Sequence, residues 1–101
     1  MKKEIVLEIF DFLKSKGIAS SESEFSTDWL GCCEGYMRKL RHTKSEPSMG
    51  AIAICASRLL NAAEQLGAVP HYQTLAEQMV AMSRKCRSLV DAESVEFDLA
   101  A

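Results

Sequence analysis

The sequence predicts an all-α fold, a single domain of five helices around one core. Three observations carry this expectation. Apolar residues recur at spacings of three and four along most of the chain, no stretch alternates apolar and polar residues as a half-buried strand would, and hydroxyl caps, glycines and prolines separate the stripes.

The first helix is expected from Lys2 to Lys16, where Ile5, Val6, Ile9, Phe10 and Leu13 form one stripe and Gly17 follows as a stop. Leu7 and Phe12 lie off the stripe, so this helix is covered on more than one side, by the last helix or by a second copy. The run Ser20 to Glu24 supplies a hydroxyl N-cap and first-turn carboxylates for a second helix carrying Phe25, Trp29 and Leu30. Gly31 is suited to a sharp turn that needs positive φ. A third helix is expected over about Cys33 to Arg41, with Tyr36, Met37 and Leu40 inward and Glu34, Gly35, Arg38, Arg41 and His42 on the other side.

Glu46, Pro47 and Ser48 end that segment and cap the next. The fourth helix, Ser48 to Leu66, has a broad apolar face of Met49, Ile52, Ala53, Ala56, Leu59, Leu60, Ala63 and Leu66, with Cys55 beside it. Gly67 and Pro70 mark its end and the start of an amphipathic fifth helix over about 70 to 90. There Tyr72, Leu75, Met79, Met82, Cys86 and Leu89 follow heptad spacing and ask for a partner helix, either within the monomer or as a homodimer interface. Residues 91 to 101 lack periodicity and are expected to form a flexible acidic tail.

With 101 residues, 48% hydrophobic and 26% charged, the composition is that of one globular domain rather than a disordered chain. The net charge of -2 hides an uneven distribution. Residues 32 to 47 hold Arg38, Lys39, Arg41 and Lys44 against Glu34 and Glu46, whereas the last eleven hold Asp91, Glu93, Glu96 and Asp98 with no base. Charges interrupt the apolar residues after Met1, unlike a signal peptide, and no run approaches the ~20 apolar residues of a membrane helix. The expectation is a cytoplasmic protein with four reduced cysteines and no membrane contact.

Vicinal Cys32 and Cys33, with Cys55, Cys86, His42 and His71 scattered, lack the paired spacing of a zinc site. No phosphate loop, nucleophile elbow or catalytic carboxylate motif is present, so neither enzyme activity nor a cofactor is expected.

From Ser21 to Leu59 the chain resembles the lambda-repressor-like (Cro-type) helix-turn-helix DNA-binding family. The resemblance rests on Phe25, Leu30, Gly31, Tyr36, Leu40, Lys44, Glu46, Pro47 and Ser48, followed by Met49, Ile52, Ala56 and Leu59. The chain departs from that family by one extra residue between Phe25 and Gly31. It also has Ser23 where a phosphate-contacting glutamine is common, Cys33 where a serine caps the second helix, and Thr43 where a glycine ends it. More loosely, the chain is similar to short bacterial proteins of unknown function that share the Trp-Leu-Gly and Glu-Pro-Ser landmarks.

The resemblance implies a helix-turn-helix unit over about 21 to 46 that docks on double-stranded DNA, and a regulator, in the first instance a repressor, acting as a homodimer. Ser23, Cys33, Glu34, Gly35, Arg38, Lys39, Arg41, His42 and Lys44 are the implied DNA-binding residues. The alternative is a protein-interaction module on the same fold, an antagonist or adaptor of another regulator, for which the net negative charge is natural.

Overall fold

A computed structural model describes the backbone of residues 2–100 and the side chains of residues 2–93. Its helices are α1 (Lys2–Ser15), α2 (Glu22–Asp28), α3 (Tyr36–His42), α4 (Met49–Gly67) and α5 (Gln73–Ala100), with a 3-10 turn at Pro70–Tyr72. No strand occurs among the described residues, and the expected five-helix, all-α architecture is what the chain adopts.

One apolar core joins the elements. The α1 stripe of Val6, Ile9, Phe10 and Leu13 meets Phe25 and Leu30, Met37 and Leu40 of α3, and Ile52, Cys55 and Leu59 of α4. Phe10 and Phe25 pack as tilted rings 5.3 Å apart. Leu7 and Phe12 are half-buried against this core, which accounts for their places off the stripe. At the end of α1, Gly17 takes φ +73, and the N–H groups of Ile18 and Ala19 turn back to the Leu13 carbonyl.

The α2 cap is as expected: the Ser21 hydroxyl accepts from the Glu24 N–H at 3.1 Å. Trp29 closes the helix, and the Arg58 guanidinium of α4 donates to the freed carbonyls of Thr27 and Asp28. Gly31 then turns the chain with φ +66. Ser48 caps α4 through the Ala51 N–H at 3.1 Å.

α4 and α5 run antiparallel, with Ala51, Ala56, Ala63 and Ala76 allowing close approach. The buried Ser83 hydroxyl donates to the Ala56 carbonyl at 2.7 Å, satisfying a group that would otherwise be stranded in the core. Cys55 and Cys86 meet across the same interface, both buried and free as thiols. Cys55 is pushed well above an ordinary thiol, first by its hydrogen bond to Cys86 and then by burial.

The heptad seam of α5 is spent within the monomer. Met79 and Cys86 have no exposed surface, and Leu75, Met82 and Leu89 are half-buried against the core, leaving only Tyr72 exposed among the six expected interface residues. The antiparallel α4 and the α1 stripe supply the partner surface that such spacing requires. α5 also runs past the expected end at 90 to Ala100, because no glycine or proline interrupts the segment, and its alanines and glutamates favour helix. Of the expected acidic tail, the side chains from Ser94 onward and all of Ala101 lie outside the described residues.

Candidate nucleic-acid interface

The start of α3 differs from the expected one and re-sorts the candidate residues. Gly31 sends the chain back so that the Cys32 N–H donates to the Ser26 carbonyl at 2.9 Å, which holds this segment outside the helix. The helix begins at Tyr36 with Gly35 as its N-cap. Cys33 and Glu34 therefore lie in an exposed connection and not on a recognition helix, and seven residues, 29 to 35, join α2 to α3. DNA-binding helix-turn-helix units use a turn of about three to four residues.

Gly35 has no side chain to cap α3, and the cap comes from α2. The Ser26 hydroxyl, fully buried, accepts from the Met37 N–H at 3.1 Å and donates to the Glu22 carbonyl at 2.8 Å. Met37 and Leu40 fix the inner side of α3 in the core, and the Tyr36 hydroxyl accepts from the Ser48 N–H at 3.0 Å, seating α3 against the start of α4.

Arg38, Lys39, Arg41, His42 and Lys44 are all exposed, on α3 or just beyond it. They do not act as one set. Arg41 Nε lies 2.6 Å from Glu22 Oε2, and its guanidinium stands over the Phe10 ring at 6.0 Å, so Arg41 ties α3 to α2 and α1. Arg38, Lys39, His42 and Lys44 make no ion pair among the described residues. Lys39, Arg41 and His42 occupy the last turn of α3, where the helix dipole favours positive charge. Ser23 is exposed on α2, beside two first-turn glutamates.

Two residues absent from the sequence-based candidates complete this end of the molecule. Lys3 reaches from α1 to place its Nζ 2.6 Å from the Thr43 carbonyl, adding a cation beside Lys44. Glu46 accepts from the Lys3 backbone N–H at 2.9 Å and so caps α1; that bond chiefly holds its carboxyl below the usual carboxylate range. Separations of 40 and 43 residues left no local signal for the two contacts. The Cys32 thiol is raised by burial and then by its neighbour Cys33, and no group of three His, Cys, Asp or Glu among the described residues could hold a metal.

Residues 6–98 match DUF6626, described as a family of unknown function. The chain belongs to that family. No curated protein and no solved structure matches it. In this DUF6626 chain the matched span takes in all of α2, α3 and α4 and the parts of α1 and α5 packed on them. No helix among the described residues is long and apolar enough to cross a membrane.

Proposed function

We propose that this protein is a DNA-binding regulator that sets the outer side of α3 and the loop to Lys44 against duplex DNA. The observation that supports this reading is the exposed set Arg38, Lys39, His42 and Lys44, without ion pairs among the described residues, on a helix whose inner side is locked by Met37 and Leu40. Two nearby carboxylates are occupied, Glu22 by Arg41 and Glu46 by the Lys3 N–H, while Glu34 stays exposed in the connection before α3.

Such a surface neutralises phosphates and releases counterions, and Arg38 adds a fork able to bind guanine in two places. Because α3 begins at Tyr36, base reading falls to Arg38 in its first turn, while Lys39 and Lys44, with Lys3 at the margin, contact the backbone. Regulation would follow from occupancy of a promoter, with repression, the exclusion of polymerase by that occupancy, as the direct outcome. Selection of bound fragments from a random duplex pool tests the reading. It predicts one enriched site whose affinity falls steeply with salt; no enrichment and no binding at low salt would refute it.

A second reading, a protein-interaction module, is favoured by the seven-residue connection between α2 and α3 and by the Arg41–Glu22 pair, which withdraws one cation from the face. Its partner would meet the same basic surface through carboxylates.

A further inference from the structure

The α4–α5 pair leaves one open groove on its outer side, made of two clefts of about 500 and 240 Å3 that share Val80 and Arg84. Leu60 stands at its middle, 41% exposed, beside Val80. Small residues line the groove on both helices, among them Ala56 and Gly67 on α4 and Ala76 on α5. Charge is distributed by sign: Arg84 and Arg87 lie toward one end and Glu77 toward the other.

We infer that this groove is the interface of a two-fold homodimer formed by antiparallel α5 helices. A two-fold interface must be complementary to itself, because each residue on one side meets the image of another residue from the same patch. The α5 face satisfies that condition. Glu77 lies three residues before Val80, and Arg84 lies three residues after Ala81, so an axis between Val80 and Ala81 brings Glu77 of each protomer to Arg84 of its partner. By helical period Glu77, Val80 and Arg84 share one side of α5, and all three line the groove. The same axis brings both Leu60–Val80 pairs to the centre, and the small residues let the helices approach. A partner of uniform charge would match one end of the groove and be repelled at the other. The heptad seam cannot serve instead, since Met79 and Cys86 are buried in the monomer.

The inference does not depend on α3 meeting DNA. The test is sedimentation equilibrium of the full chain under reducing conditions and without nucleic acid. The wild type is expected to be dimeric at about 100 μM. Arg84→Glu and Glu77→Arg should each raise the dimer Kd by about tenfold or more, since each substitution sets like charges together at two symmetric places. The double variant Glu77→Arg/Arg84→Glu should recover the dimer, because the swapped pair is again self-complementary. Leu60→Glu should give monomer. The substituted residues are exposed, so each variant should keep the wild-type helical circular dichroism, and its Tm should match the wild type at concentrations low enough for the wild type to dissociate. A wild type that stays monomeric, a dimer indifferent to Arg84→Glu and Leu60→Glu, or a double variant that fails to recover would each overturn the assignment.

Discussion

The Ser26 hydroxyl lies between α2 and α3, 3.1 Å from the Met37 N–H that it accepts and 2.8 Å from the Glu22 carbonyl to which it donates. One small buried side chain thus caps a helix that begins ten residues later. The Ser26 carbonyl adds a third tie by accepting from the Cys32 N–H. α3 depends on α2 for its first turn, and the basic face stands on that dependence.

Ser26→Ala removes the cap while leaving the site too enclosed for water to replace it, given that Ser26 has no exposed surface. The Met37 N–H is then buried without a partner, at a cost of about 1–3 kcal/mol. The urea midpoint should fall accordingly with an unchanged slope, and the proposed DNA binding should weaken with it as α3 loosens. A midpoint equal to wild type would show that the hydroxyl contributes nothing.

Gly31 and Gly17 separate two effects that a glycine can have. Both take positive φ, but a Cβ at Gly17 meets open space, whereas at Gly31 it would lie 2.9 Å from the Ile54 Cδ1. Gly17→Ala should cost about 1–2 kcal/mol from backbone conformation alone. Gly31→Ala should cost this plus a small excess, since the half-exposed Ile54 must turn its Cδ1 aside, and replacing Ile54 by alanine in that background should return the excess, as a double-mutant cycle would measure. Equal costs at the two glycines would contradict the packing argument.

The features legible in the sequence are those whose cause is local. Ser21 and Ser48 cap helices through N–H groups three residues away, and Gly31 turns where a turn was needed. α3 began later than its apolar spacing indicated, because the Cys32 N–H is drawn to Ser26, an interaction that periodicity does not encode. The heptad spacing of α5 was equally compatible with a second chain and with α4, and only the packing of Met79 and Cys86 decides between them. At the candidate interface the cluster of bases was visible as composition. That Arg41 is bound to Glu22, and that Lys3 and Glu46 come from either side of the same corner, depends on contacts spanning 19 to 43 residues.

Glu46 makes stability depend on pH. Its carboxyl titrates below its ordinary value because the charged form accepts the Lys3 N–H, so its contribution is complete above the ordinary carboxylate range and disappears as pH falls through the lowered value. Glu46→Gln retains an acceptor and removes the charge. The variant should be less stable than wild type at neutral pH, and the two should converge in acid. Urea midpoints across that range test it, and a difference that persists unchanged at the acid end would rule out the charge as the cause.

Arg38 and Lys44 distinguish reading from holding on the proposed DNA surface. Arg38 lies in the first turn of α3, exposed and without an ion pair among the described residues, and its guanidinium can meet both guanine acceptors in a way lysine cannot copy. Arg38→Ala should cost about 1–3 kcal/mol on the selected site and relax preference at one base pair. Lys44 lies in the loop, where a phosphate contact carries no sequence information. Lys44→Ala should weaken specific and random duplexes alike and lower the salt slope by about one unit. Titration of both variants against the selected site and a scrambled duplex at several salt concentrations separates the two patterns. If both bind as wild type does, α3 does not face DNA, and a carboxylate-bearing protein partner becomes the better occupant of this surface.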